Sequence, residues 1–147
     1  MNEEDVTKAI LQALIDGGWE IVCFDFPQSG TGRVLHPEGD PAKNEGVIIP
    51  DVVAVKNGKC LYLENKDHYC CSDFVKVHDV IHCKRYERAF RRLLEGLDVK
   101  QMVCGIGMPA ASFAGDAVTN CSMVDVVICV SDQGVVSVSY SAGDFRI

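Results

Sequence analysis

In the stretch VIIPDVVAVKNGKCLYLENK at residues 47–66, two lysines flank the central Asn-Gly, and three further charged residues interrupt the apolar segments on either side. The stretch predicts two strands, with Asp51, Glu64 and Lys66 at the strand ends remote from the turn. Opposed like charges destabilise a strand pair, and burial increases that cost. Carboxylates converging from two strands are ligands that Mg²⁺ selects, with waters and phosphate oxygens completing its coordination. The pattern therefore indicates a candidate metal site suited to phosphodiester hydrolysis.

The turn between the strands fixes which side chains face each other. Asn57-Gly58 favours a two-residue type I′ turn. Counting back from it predicts four cross-strand pairs: Lys56 with Lys59, Val55 with Cys60, Val53 with Tyr62, and Asp51 with Glu64. Lys66, two residues beyond Glu64, shares its face of the strand. Pro50 interrupts backbone pairing where strands would separate at a cleft. The alternative is an exposed hairpin end at which Lys66 neutralises one acid.

The rest of the chain predicts the elements that must position this hairpin. Asn2 caps a helix with an acidic first turn, and Gly17-Gly18 ends it. A strand follows at residues 19–26, then a long irregular loop at 27–46. After the hairpin come a helical pattern at 73–96 with a break near 82–85, a strand at 99–107, an ambiguous segment at 108–121 and a terminal strand pair. This order predicts a single α/β domain over 1–147, with a mixed sheet flanked by helices.

The motif Pro50-Asp51, a twelve-residue gap and then Glu64-Asn65-Lys66 resembles the PD-(D/E)xK motif of the restriction-endonuclease-like nucleases. The predicted element order resembles the αβββαβ core of that superfamily over residues 3–107, with an extra C-terminal strand pair. The resemblance implies a nuclease fold in which Asp51 and Glu64 bind the metal and the Asn65 carbonyl is a third ligand. Lys66 resembles the catalytic lysine.

Many members of the superfamily add an acid from the first helix. The resemblance makes Glu4 the preferred candidate in this chain and Glu3 the alternative. Acids in a first helical turn are also favoured by the helix dipole, which is a sufficient structural reason for their presence.

Two segments offer candidate contacts to DNA. The loop PQSGTGR contains two glycines that permit close backbone approach, together with the donors Gln28, Ser29, Thr31 and Arg33. The segment KRYERAFRR, at residues 84–92, carries five basic residues, of which Lys84, Arg88 and Arg91 are the candidate phosphate contacts. The alternative for the loop is a flexible connector. The alternative for the basic segment is a solvated, charged helix face.

Eight cysteines suggest either reduced core residues or a zinc site. Four of them lie in apolar segments, where a thiol acts as a small hydrophobe. A zinc site would use Cys70, Cys71, Cys83 and one of the histidines 68, 78 and 82. The spacing disfavours zinc, because there is no C-x-x-C pair and adjacent cysteines point in different directions.

The formal net charge of −7 is unusual for a polyanion-binding protein, although the basic segment concentrates positive charge locally. No apolar run is long enough to span a bilayer, and the N-terminus is acidic, so we expect a cytoplasmic protein. The resemblance implies a bacterial, archaeal or phage origin. The resemblance implies a Mg²⁺-dependent endodeoxyribonuclease, with Mn²⁺ able to substitute, acting on double-stranded DNA.

A small type II restriction endonuclease is the preferred interpretation, and because two strands are cut, it predicts a homodimer. The alternatives are a structure-specific nuclease, such as a Holliday junction resolvase, a repair nuclease or a phage nuclease, and a catalytically inactive DNA-binding module.

Overall fold

A computed structural model describes residues 1–39 and 45–147. The α-helices in this part of the chain are α1 (Glu3–Asp16), α2 (Cys71–His82), α3 (Glu87–Leu93) and α4 (Asp116–Asn120). The strands are β1 (Glu20–Phe24), β2 (Val52–Lys56), β3 (Lys59–Asn65), β4 (Gln101–Pro109), β5 (Val126–Val130) and β6 (Val136–Ser141). None of the described helices is both long and apolar enough to cross a membrane.

All six strands form one sheet in sequence order, β1 to β6. The first three strands form an antiparallel meander, β4 and β5 run parallel to β3, and β6 returns antiparallel to β5. The predicted mixed sheet, its flanking helices and the terminal strand pair are therefore confirmed. The C-terminal end of β3 lies beside β4, where the register pairs Asn65 with Gly107.

Helices cover both faces of the sheet. One face packs against α1, whose buried residues Val6, Ile10 and Leu14 contact a core that includes Leu61 and Leu63. The opposite face packs against α2 and α3. There the Tyr62 ring meets Phe90 of α3 edge-on, with ring centroids 5.8 Å apart. Alternate residues of β3 thus enter different cores, as strand geometry requires.

The predicted start and end of the first helix hold because local signals specify them, whereas the pattern predicted at 73–96 begins at Cys71 and ends at Leu93. Asn2 and Asp5 form a reciprocal capping box at the start of α1, and Gly17 is its C-cap. The predicted break in the second helical segment separates α2 from α3. Lys84 lies in this break with a φ of 61°, a left-handed conformation that a helix cannot continue through.

The loop predicted at residues 27–46 is irregular in its described part, and residues 40–44 of that prediction lie outside the described residues. An isolated antiparallel bridge joins Leu35 to Ile48 across it. The segment with an ambiguous sequence pattern, residues 108–121, contains the end of β4, a short 3₁₀ turn and α4.

Candidate active site

The β2–β3 hairpin has the predicted register. Its ladder includes the pairs Lys56 with Lys59, Val55 with Cys60 and Val53 with Tyr62, and it continues to Val52 with Leu63. Asn57 and Gly58 both have positive φ, at 49° and 78°, as a type I′ turn requires. Asp51 immediately precedes β2, so the predicted pairing of Asp51 with Glu64 lies one position beyond the ladder.

Asp51 is held by backbone groups on both sides. Its carboxylate Oδ2 accepts a hydrogen bond from the Asn65 backbone N–H at 2.7 Å. Its own carbonyl accepts from the Asp25 N–H at 3.0 Å, which links it to the end of β1. The Asp51 carboxylate is therefore anchored at the end of β3, by the residue that follows Glu64 in the chain.

Glu64 is a buried acid with two polar neighbours. Its residue exposure is only 5 %. Oε1 accepts from the Tyr62 hydroxyl at 2.6 Å, and Oε2 lies 3.9 Å from Lys66 Nζ. Strand alternation places Tyr62, Glu64 and Lys66 on the same side of the chain, so one strand supplies the acid, its hydrogen-bond donor and its cation.

The charges at this strand end strongly perturb one another. Burial, followed by repulsion from Glu64, raises the pKa of Asp51 to about 8, against the opposing effects of the Asn65 N–H and Lys66. Burial lowers the pKa of Lys66, but attraction to Glu64, Glu3 and Asp51 outweighs it and leaves the pKa raised. Clustered groups with perturbed pKa values in one place are characteristic of functional sites.

The first helix brings Glu3, rather than Glu4, to this cluster. Glu3 Oε1 lies 3.8 Å from Lys66 Nζ. Burial raises the pKa of Glu3, while Lys66 opposes that shift. Glu4 forms an ion pair with Lys8 one helical turn further along α1 and is about half exposed. The preferred sequence candidate thus faces away from the carboxylates, and the alternative lies beside them.

Asn65 connects the hairpin to α1 through its side chain. The side-chain amide donates to Thr7 Oγ1 at 2.9 Å, and the Thr7 hydroxyl donates to the Glu3 carbonyl at 2.9 Å. Asn65 is fully buried, and its Oδ1 atom has no hydrogen-bond partner. It packs so closely on Gly107 that a Cβ at that position would collide with it. The backbone of Asn65 therefore serves Asp51 while its side chain serves α1.

The donor set suits a hard divalent cation. Within residues 1–39 and 45–147, no group of three or more histidine, cysteine, aspartate or glutamate side chains is arranged to hold a metal ion. Mg²⁺ commonly takes only one or two carboxylates and completes its shell with waters and phosphate oxygens. Asp51 and Glu64 are two such carboxylates, and a cation that they held together would offset their mutual repulsion.

The loop predicted to contact DNA is exposed. Gln28 has a φ of 63°, and Ser29 and Thr31 share a hydrogen bond of 2.7 Å between their hydroxyls. The Ser29 hydroxyl also lies 2.8 Å from Asp25 Oδ1. A Cβ at Gly32 would collide with Ile49 and Asp25, so internal packing of the loop is by itself sufficient to require this glycine.

The predicted basic contacts divide between two cavities. Arg33 and Arg88 line one of them, together with Arg92. Lys84 and Arg91 line another, on the other side of α3, where Arg91 lies 3.4 Å from Glu87. The positive φ of Lys84 breaks the helical spacing on which the prediction of a single basic face depends.

All eight cysteines lie in the described residues, and all are free thiols. The four in apolar strands, Cys23, Cys60, Cys104 and Cys129, are buried, as predicted. Cys83 lies far from the other two candidate zinc thiols, since Cys70 and Cys83 cap opposite ends of α2, a separation of roughly 18–20 Å along a helix of this length. His78 stacks on His82 and contacts the Met123 carbonyl, and His68 is exposed beside Asp67.

Sequence reasoning missed Tyr62 and Thr7 as parts of the site. Tyr62 could have been found, because a tyrosine two residues before a candidate ligand on a strand points to the same face. Thr7 lies one helical turn after Glu3, but its contact with Asn65 depends on how α1 docks on the sheet.

No protein-family model, curated protein or solved structure matches the chain.

Proposed function

We propose that this protein is a Mg²⁺-dependent endodeoxyribonuclease of the PD-(D/E)xK type, most like a small type II restriction endonuclease. One observation carries the proposal: Asp51 and Glu64 lie together at a largely buried strand end with Lys66 beside them, so ionisation of Asp51 is unfavourable and its pKa is raised to about 8. Such an arrangement destabilises the fold, and cation binding would relieve it.

The topology supports the same conclusion. A helix, a three-stranded antiparallel meander, a helical segment and a strand parallel to the third follow one another along residues 3–109. This is the order expected of the αβββαβ nuclease core, and the motif residues fall at the ends of its second and third strands.

Each residue has a distinct role in the proposed reaction. Asp51 and Glu64 would hold the cation, and the Asn65 carbonyl is a further candidate ligand. The bound cation supplies Lewis-acid polarisation of the phosphodiester and a water of lowered pKa. Lys66 keeps its proton, because the surrounding acids raise its pKa, and would stabilise the negative charge that grows on the phosphate in the transition state.

The proposed substrate is double-stranded DNA, and the proposed assembly is a homodimer. One motif per chain supplies one active site, and cutting both strands requires two. The proposal also includes a cytoplasmic location, a bacterial, archaeal or phage origin, and the ability of Mn²⁺ to substitute for Mg²⁺.

The test is cleavage of three substrates by the purified protein with Mg²⁺: a plasmid, a phage genome and a synthetic four-way junction. Asp51→Ala should abolish cleavage, and Asp98→Ala, which removes an acid whose side chain is 87 % exposed, should not. Discrete fragments from the linear and plasmid DNA support restriction, and cleavage confined to the junction supports a resolvase.

Two results count against the proposal. Activity of Asp51→Ala close to that of the wild type means that this hairpin is not the active site. If the protein binds DNA but cleaves none of the three substrates, it is a non-catalytic module.

A further inference from the structure

A basic cleft lies between the loop after β1 and helix α3. It has a volume of about 500 Å³, and its lining includes the exposed residues Arg33, Arg88 and Arg92 together with His36. In the described part of the chain, none of these three arginines forms a salt bridge. A concentration of guanidinium groups in one concave surface is unexpected in a protein with a net charge of −7.

The acid in the cleft, Glu38, already has a structural partner. Its Oε1 accepts a hydrogen bond from the Arg88 backbone N–H at 2.9 Å, which satisfies a donor in the first turn of α3. The negative charge of Glu38 thus offsets one of the three arginine charges, while its carboxylate accepts a hydrogen bond from the backbone of α3. The lining retains an excess of positive charge.

The cleft lies on the same face of the sheet as the carboxylates. Leu35, in its lining, belongs to the hydrophobic core under α2 and α3. The Arg33 guanidinium lies near Cys23 of β1. Burial raises the pKa of the Cys23 thiol to about 11, and the positive charge of Arg33 opposes that shift.

A short chain of contacts links this layer to the site. Helix α3 presents Arg88 and Arg92 on the side that lines the cleft, and its Phe90 ring, on the opposite side, contacts Tyr62. Tyr62 in turn donates its hydroxyl hydrogen to Glu64. One aromatic pair therefore separates helix α3 from the proposed catalytic acid.

We propose that this cleft binds backbone phosphates of the DNA duplex away from the bond that is cut. This inference rests on the proposed nuclease function. The cleft would add a second contact, which positions the duplex on the face of the sheet that carries the carboxylates. Guanidinium groups suit this role because each presents several N–H donors in a planar arrangement that matches phosphate oxygens. Contacts of this kind set affinity and register and carry no sequence information.

The test measures binding of a short fluorescent duplex by anisotropy over a salt series, with Ca²⁺ in place of Mg²⁺ to suppress cutting. The variants are Arg33→Gln, Arg88→Gln and Arg92→Gln. The matched control is Arg146→Gln, which removes the same charge from an exposed position near Trp19 and the hairpin turn, at the other end of β2 and β3. Urea unfolding of each variant verifies the fold.

Each cleft variant should weaken binding several-fold, equally for unrelated duplex sequences. The slope of log affinity against log salt should decrease in magnitude by roughly 0.9 for each phosphate that the variant no longer neutralises. Arg146→Gln should change neither quantity, and Glu38→Gln should strengthen binding. Equal effects of the cleft variants and Arg146→Gln would show that only net charge matters and would overturn the inference.

A mononucleotide and inorganic phosphate provide a second arm. If they bind with the same arginine dependence while the duplex does not, the cleft serves a small phosphate ligand, and the inference about DNA is wrong. The cleavage assay separates this inference from the proposed function. Cleavage with unaltered binding by the cleft variants refutes the cleft alone, whereas selective loss of binding in a protein that cuts nothing refutes the nuclease alone.

Discussion

The backbone N–H of Asn65 donates to Oδ2 of Asp51 at 2.7 Å, so the residue between Glu64 and Lys66 in the motif orients the acid on the neighbouring strand. The side chain of Asn65 enters the opposite core and donates to Thr7. One residue therefore fixes Asp51 and the first helix relative to each other. Thr7 in turn donates to the Glu3 carbonyl, so the Asn65 side chain contacts the helical turn that carries Glu3.

Replacing Thr7 with valine should destabilise the protein by about 1–3 kcal/mol, because it leaves the buried Asn65 amide without its acceptor. The Asn65 Oδ1 atom already has no partner, so the whole side chain would be unsatisfied. Urea unfolding measures the change. Thr119→Val is the matched control: its hydroxyl also bonds the carbonyl four residues earlier, but it is exposed on α4. Equal losses for the two variants would contradict a special role of the Thr7–Asn65 bond.

The stability of the metal-free protein should decrease as pH rises from about 4 to about 8. The pKa of Asp51 is about 8 in the folded protein and near its ordinary value of 3.8 when unfolded. Between these values the folded state binds more protons, so the free energy of unfolding falls with increasing pH. Below about pH 4 both states are protonated, and this penalty disappears.

Asp51→Asn should flatten this pH dependence and stabilise the protein at neutral pH by about 1–3 kcal/mol. Some dependence should remain, because the pKa of Glu3 is also raised. The measurement is urea unfolding in a chelator over the pH series, with the exposed Asp98→Asn as control. Equal slopes for wild type and Asp51→Asn would show that the pKa of Asp51 is not raised in the folded protein.

The register of the hairpin was predictable because the Asn57-Gly58 turn permits one pairing and alternation then assigns each side chain to a face. The convergence of Asp51, Glu64 and Lys66 at one strand end follows from that local geometry. The choice between Glu3 and Glu4 does not. The two residues differ by about 100° around α1, and the docking of Val6 and Ile10 on the sheet decides which one faces Lys66.

The basic surface was predictable only in part for a similar reason. Helical spacing grouped Lys84 with Arg88 and Arg91, yet the left-handed Lys84 ends that periodicity before α3 begins. The pairing of Arg33 with Arg88 and Arg92 depends on a long loop folding back over α3. Sequence spacing contains no information about such a contact.

Tyr62→Phe should weaken binding of Mg²⁺ by about 10-fold or more, since groups that orient a metal ligand commonly contribute at this level. The variant removes only the hydroxyl that donates to Glu64, at 2.6 Å. Tyr86→Phe is the matched control, because this buried hydroxyl on the same side of the sheet donates to the Gly46 carbonyl. Isothermal titration should show lower affinity for the first variant and unchanged affinity for the second. Equal affinities would exclude an orienting role for Tyr62.

Glu3→Gln should reduce cleavage or Mg²⁺ affinity measurably, whereas Glu4→Gln should leave both close to the wild type. The two substitutions are chemically identical and adjacent in the chain, but only Glu3 lies near Lys66 Nζ. Glu4→Gln should lose just its surface ion pair with Lys8, a contact that solvent screens. The reverse ranking in the cleavage assay would favour Glu4 as the helix-one acid.

Lys66→Ala should slow cleavage by a factor on the order of 10²–10³, the loss typical of one electrostatic group that stabilises a transition state. Its affinity for Mg²⁺ should be unchanged or slightly higher, because a cation 3.9 Å from Glu64 has been removed. DNA binding in Ca²⁺ should persist. Lys76→Ala, an exposed lysine of α2, controls for the loss of charge. Single-turnover kinetics over a Mg²⁺ series distinguish a role of Lys66 in metal binding from a role in the chemical step. A cleavage rate that high Mg²⁺ restores would assign Lys66 to metal binding. A cleavage rate that stays low at saturating Mg²⁺ assigns it to the chemical step.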